Sequence, residues 1–132
     1  CEMACEIQKD RMSNWISYYD GLSFLREQGK IELPVIPKEC GHNAHMFYIK
    51  SRNLDERSKL IQYLKDKGVH ATFHYIPLHT APAGKQFGHF HGEDIYTTKE
   101  SERLLRLPLF YELKKTEVEY IVECIYDFYK SI

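Results

Sequence analysis

His74 and His79 bracket a Tyr-Ile-Pro-Leu turn, and His89 and His91 follow in the same stretch, so four of the chain's seven histidines lie close together. Imidazole changes charge near neutral pH, binds metals and both donates and accepts hydrogen bonds. A zinc site is disfavoured by the spacing: there is no H-E-x-x-H, no Cys/His pair and no ligand set on one helix face. Anion recognition is a second reading, with these rings, Tyr75 and Lys85 donating to phosphate or sugar oxygens. A third is that the histidines are polar loop residues making local hydrogen bonds. Spacing alone leaves the last two open. His74 and Tyr75 differ from the rest because they end a strand pattern at Pro77, which makes a rigid mount. Alternation sets Phe73 and Tyr75 on one face and His74 on the other, so at most one of these sets belongs to a core. Nucleophilic machinery is not visible. No Ser or Cys sits in a G-x-S-x-G elbow, the glycine-rich phosphate motifs are missing, and runs such as Lys65-Asp66-Lys67 single out no Schiff-base lysine. The sequence holds no complete active site.

The elements that must carry these residues follow from hydrophobic period and punctuation. Residues 1–28 read as a helix through Trp15, Tyr19, Leu22 and Phe24 or Leu25, ended by Gly29. Residues 31–37 read as an extended segment that two prolines confine to an edge or a loop. His45–Lys50 reads as a strand. Asn53 with Glu56 makes a capping box for a helix whose apolar face is Leu54, Leu60, Ile61 and Leu64 and whose end is Gly68. Val69–Ile76 reads as the strongest strand, and residues 77–95 as a long loop of the kind that carries function. Thr97 with Glu100 opens a short helix to about Leu104. Residues 106–110 form a short strand or extended exit. Thr116 with Glu119 opens a last helix whose core face is Val118, Ile121, Val122, Ile125 and Phe128. This order predicts an α+β domain, a small, mostly antiparallel sheet with helices packed on one face.

The 132 residues suffice for one compact domain. A net charge of −1, with Lys and Arg dispersed, argues against a dedicated nucleic-acid or anionic-membrane surface, and no apolar run approaches the roughly 20 residues of a membrane span. Cys1, Cys5, Cys40 and Cys124 lack disulfide-framework spacing and read as reduced thiols. Ten tyrosines and seven phenylalanines are a heavy aromatic load, expected where surface is covered by something else. The chain also opens at Cys1 within a helical pattern, which reads as a piece of a longer protein.

Three stretches together resemble the C-terminal part of the DegT/DnrJ/EryC1/StrS aminotransferases. They are His45-Met-Phe-Tyr-Ile-Lys50, Phe73-His-Tyr-Ile-Pro-Leu-His79 with Ala81-Pro-Ala-Gly84, and Tyr96 to Phe110. The resemblance covers nearly the whole chain and is strongest to the branch that makes a dTDP-linked amino sugar for enterobacterial common antigen. It implies the C-terminal small domain of a fold-type I enzyme, with 1–28 as a linking helix and 29–132 as the α+β unit. The pyridoxal phosphate and its lysine would lie on an N-terminal domain outside this sequence. The implied reaction moves an amino group from L-glutamate to C4 of a dTDP-4-keto-6-deoxyhexose in a cytoplasmic homodimer. The fragment alone would be inactive. By resemblance His74 and Tyr75 bind substrate, His79 is a further candidate for the same pocket, and His45 contacts the site or serves structure. The Thr97–Phe110 motif is structural, and no residue here is a catalytic acid or base. The competing expectation is a stand-alone α+β module whose His-rich loop binds an anionic small molecule.

Overall fold

The structure, a computed structural model, describes residues 2–132; the expected helix start at Cys1 lies outside them. The first helix, α1 (Glu2–Glu27), is followed by β1 (Phe47–Lys50), α2 (Leu54–Asp66) and β2 (Thr72–Phe73). Then come α3 (Pro82–Phe87), α4 (Thr97–Arg103), β3 (Leu104–Leu107) and α5 (Lys115–Lys130). The sheet has three strands in the order β1-β3-β2, and both pairings are antiparallel. This is the α+β arrangement expected from the sequence. No described helix is long and apolar enough to cross a membrane.

Period-2 burial explains the layering. Phe47 and Ile49 of β1 pair with Leu107 and Leu105 of β3, and all four are buried on the helix side. Tyr48, Lys50, Leu104 and Arg106 alternate with them on the opposite face and are half-buried. Helix α1 covers the sheet with Trp15, Tyr18, Leu22 and Leu25; Tyr18 stacks on Phe47 at 5.1 Å between ring centroids. The buried position is therefore Tyr18 rather than the expected Tyr19, and Phe24 is exposed, because the i, i+3, i+7, i+10 stripe runs through 15, 18, 22 and 25. Helix α5 packs on α1 and α2 with Val118, Ile121, Ile125 and Phe128. The Tyr18 hydroxyl donates to Pro108 O (2.9 Å), and Asn14 Nδ2 donates to Leu113 O (2.8 Å). These bonds hold α1 to the chain leaving β3.

The ends of α2 behave as its sequence suggests, with one change of partner. Asn53 Oδ1 accepts from Glu56 N at 3.0 Å, but Glu56 Oε1 accepts from Arg52 N at 3.1 Å rather than from Asn53. Gly29 and Gly68, at φ 68° and 79°, end α1 and α2 in the left-handed conformation that a side chain disfavours. Leu54, expected on the core face, is exposed.

Five expectations are corrected. The Val69–Ile76 strand shrinks to Thr72–Phe73, which pair with Arg106 and Leu105. Continuing that register would oppose Tyr75 to Arg103, which is the last residue of α4, so the ladder has no partner left. Residues 77–95 are not all loop: α3 forms there with Pro82 in its first turn, where a missing N–H costs nothing. Thr97 does not cap α4; Asp94 does, accepting from Thr98 N (3.2 Å) and from the Thr98 hydroxyl. Helix α5 begins before Thr116, and Glu117 Oε2 accepts from Lys114 N at 2.8 Å. The strand expected at 106–110 starts two residues earlier and is central to the sheet, because β1 and β2 flank it.

Candidate functional site

Beyond Phe73 the chain leaves the sheet and runs beside α4, held by Ser101 Oγ donating to Tyr75 O at 2.5 Å. Pro77 O then accepts from Thr80 N (3.0 Å), Ala81 N (3.1 Å) and the Thr80 hydroxyl (2.9 Å), which closes the turn. Gly84 passes directly over this turn; a Cβ there would lie 1.5 Å from Leu78 O. His79 Nε2 lies 2.7 Å from Asp94 Oδ2, so the carboxylate that caps α4 also ties down the start of the loop. The Thr98 hydroxyl foremost, with the Thr98 amide and His79 adding, holds the Asp94 carboxyl below the usual range.

These ties leave an open hollow of about 340 Å³ between residues 74–78 and α4, closed at its end by Leu104. Tyr75 is 70% exposed at its rim. His74 meets Tyr75 edge-on at 4.5 Å, and its buried Nδ1 has no hydrogen-bond partner among the described residues. Burial first, then Arg106, then His45, lowers the His74 pKa below the ordinary imidazole value. His74 is therefore a neutral donor and acceptor at neutral pH, not a cation.

The four expected site residues do not converge on one cavity. His74 and Tyr75 line the hollow. His45 is exposed on the open face of the sheet, where its Nδ1 lies 2.9 Å from Asn43 Oδ1 and its charge bears on His74. His79 is committed to Asp94 and does not line the hollow. Sequence reasoning passed over Glu100, a wall of the hollow, which pairs with Lys50 (2.7 Å) and Arg103 (3.3 Å), while Arg103 also pairs with Glu32. It also passed over Arg106. A charge between Leu105 and Leu107 in a strand must face away from the core, and that alternation was a legible signal.

A pyridoxal phosphate site is not formed by this chain's hollow. No lysine lines it, Lys50 is held by Glu100, and no glycine-rich phosphate cradle adjoins it. Among the described residues no group of three or more His, Cys, Asp or Glu is placed to hold a metal. What the hollow offers is a neutral ring, a phenol, the Glu100 carboxylate already paired with Lys50 and Arg103, and largely apolar walls, which suit holding and orienting a polar ligand rather than bond-making.

Comparison with known proteins matches this geometry to a larger architecture. The pleiotropic regulatory protein of Geobacillus stearothermophilus is 33% identical over 107 residues, 80% of this chain and 29% of that protein. The aminotransferase TlmJ from Streptoalloteichus hindustanus superposes with a TM-score of 0.85 at 24% identity, over 98% of this chain and 34% of TlmJ. NtdA from Bacillus subtilis, solved with bound cofactor PMP, superposes with a TM-score of 0.73 at 25% identity, over 94% of this chain and 28% of NtdA. The chain thus spans about a third of the proteins it matches. Other solved relatives occur in PLP and PMP forms, and pyridoxal phosphate is the cofactor of the family. The profile of one family matches residues 2–126, nearly every residue of the fold just described, and the chain belongs to it: the DegT/DnrJ/EryC1/StrS aminotransferase family.

Proposed function

We propose that this chain is the C-terminal small domain of a pyridoxal-phosphate-dependent sugar-nucleotide aminotransferase. In this reading α1 links to a larger cofactor domain and residues 29–132 form the unit that closes over the substrate. The observation that carries it is the family match over residues 2–126. The proposed reaction is transfer of the amino group of L-glutamate to C4 of dTDP-4-keto-6-deoxy-D-glucose, that of dTDP-4-amino-4,6-dideoxygalactose transaminase, for enterobacterial common antigen. The parent enzyme is proposed to be a cytoplasmic homodimer.

Pyridoxal phosphate, held by the rest of the parent, supplies the electron sink for amino transfer. The residues of this chain position the substrate. His74, neutral and lining the hollow, offers a hydrogen bond to a sugar hydroxyl or phosphate oxygen. Tyr75 contributes a phenol at the rim, and Ile76, Pro77 and Leu78 give apolar walls. His79 acts through Asp94 to fix the loop that carries them, and His45 stands at the margin on the sheet's open face.

The test is amination by the full-length gene product supplied with L-glutamate and dTDP-4-keto-6-deoxy-D-glucose. Formation of 2-oxoglutarate and a 4-amino sugar nucleotide is expected; no amination of any keto-sugar nucleotide would overturn the reading. The 132-residue chain alone is expected to show no turnover, and glutamate-dependent amination by it would overturn the small-domain assignment.

A further inference from the structure

We propose that Arg103 is a positioning residue for the His74–Tyr75 hollow. With Glu32, Lys50 and Glu100 it closes a ring of charges through which the segment after α1 sets the hollow's α4 wall. This role rests on the reading of that hollow as the substrate site. Arg103 does not line the hollow, but it sits among three residues that do, Glu100, Ser101 and Leu104. It is the last residue of α4, and its bonds reach well beyond that helix. Its Nε donates to Ser51 O (2.9 Å) at the end of β1, its NH1 group to Glu100 Oε1 (3.3 Å), and its NH2 group to Glu32 Oε1. Its own carbonyl accepts from Ser51 N (3.0 Å) and from the Ser51 hydroxyl (3.2 Å). Glu32 is placed as firmly. Ile31 and Leu33 on either side are buried in the core, and Glu32 exchanges two backbone hydrogen bonds with Lys50, at 2.9 and 3.0 Å. Residue 32 thus extends the sheet by one bridge beyond β1, with its side chain on the same face as Lys50.

The ring holds two cations and two carboxylates. Lys50 Nζ lies 2.7 Å from Glu100 Oε2 and 3.9 Å from Glu32 Oε2. Lys50 foremost, with Arg103 adding, keeps the Glu100 carboxyl below the usual range, so this wall of the hollow stays anionic near neutral pH. The Arg103 side chain is only 15% exposed, so its pairings are screened less than those of an isolated surface pair. Without Glu32 both cations have Glu100 alone. The guanidinium, freed at NH2, then draws that carboxylate away from the place it holds between Lys50 and Arg103. Ser101, two residues before Arg103, carries the movement onward, because its hydroxyl holds Tyr75 O on the opposite wall at 2.5 Å. Glu32, which does not line the hollow, therefore governs its shape. With α1 as the link to the cofactor domain, the ring ties that link to the wall that faces substrate.

The test compares Glu32→Ala with Glu32→Gln, which keeps an oxygen for Arg103, at a side chain 56% exposed and outside the core. In NMR spectra of the protein, Glu32→Ala is expected to shift the backbone amides of Glu100, Ser101 and Tyr75, and Glu32→Gln to leave them near wild type. Shifts confined to residues 31–33, 50 and 103 would overturn the proposal. The second arm uses the full-length gene product with L-glutamate and dTDP-4-keto-6-deoxy-D-glucose. Glu32→Ala should raise the KM for the sugar nucleotide several-fold while the KM for glutamate and the denaturation midpoint stay near wild type. Glu32→Gln should recover most of that loss. Arg103→Lys keeps the charge but cannot span both carboxylates and Ser51, and should raise the same KM. An unchanged sugar-nucleotide KM in Glu32→Ala, or equal rises for both substrates, would overturn the positioning role. A full-length protein that aminates no keto sugar overturns the substrate reading instead, and the shifts at Ser101 and Tyr75 decide the ring independently of turnover.

Discussion

His74 is held neutral by a half-buried position and by two neighbouring cationic or cation-forming groups, and this has a consequence for stability. In the unfolded chain its imidazole takes up a proton near pH 6.5. In the folded chain the proton is resisted, so the unfolded state binds more protons across that window and stability falls as pH drops below about 6.5. His74→Gln should flatten the dependence of the urea midpoint on pH between about 7 and 5; identical slopes in variant and wild type would rule out this account. In the proposed full-length aminotransferase, His74→Ala and Tyr75→Phe should raise the KM for the proposed sugar nucleotide more than that for the proposed donor glutamate. Equal losses for both substrates would indicate a structural role.

Two ties decide how the elements hold together. The Tyr129 hydroxyl of α5 donates to buried Glu56 Oε1 of α2 at 2.9 Å, and burial with the nearby carboxylate pushes the phenol's pKa upward. Tyr129→Phe removes that donor from a buried carboxylate and should cost about 1–3 kcal/mol, read as a shift in denaturation midpoint. Within the loop, the 1.5 Å approach of a Cβ at Gly84 to Leu78 O leaves no room for alanine. Gly84→Ala should displace the 78–88 turn and weaken ligand binding at the hollow, with global stability lowered by only about 1–3 kcal/mol, because no residue of α3 is buried. Unaltered amide shifts across residues 77–88 would show that the turn opens freely.

Over the molecule as a unit, apolar side chains crowd the surface from β2 to α4. Leu78 is 84% exposed, Phe87 80% and Tyr96 73%, next to exposed Phe73, Ile76, Phe90 and Ile95. A run this apolar is expected to be covered, and the match to about a third of each relative supplies the proposed cover in the remaining two-thirds. Side-chain footprinting of the full-length protein should show Leu78, Phe87 and Tyr96 protected relative to the 132-residue chain. Equal reactivity in both would mean that this face stays open to solvent.

Local pattern was enough for α1, α2, α4 and α5 and for the class of fold, but not for α3, which lies in a stretch that reads as loop. Most of the apolar stripes of α2 and α5, Asn53 as a cap, and Gly29 and Gly68 as helix ends are short-range facts that a linear reading captures, while the stripe of α1 runs through Tyr18 rather than Tyr19 and Leu54 leaves that of α2. The motif around His74 and Tyr75 was equally legible and pointed to the family that the profile matches. Strand length was not, because a strand exists only where a partner does. Val69–Ile76 has the composition of a long strand, yet α4 ends the neighbour's ladder at Leu104 and leaves it two residues. The pairing of His79 with Asp94 across 15 positions, and the sharing of Glu32 and Glu100 by Lys50 and Arg103, were likewise decided in three dimensions. Which charges find partners depends on distances that sequence spacing does not encode.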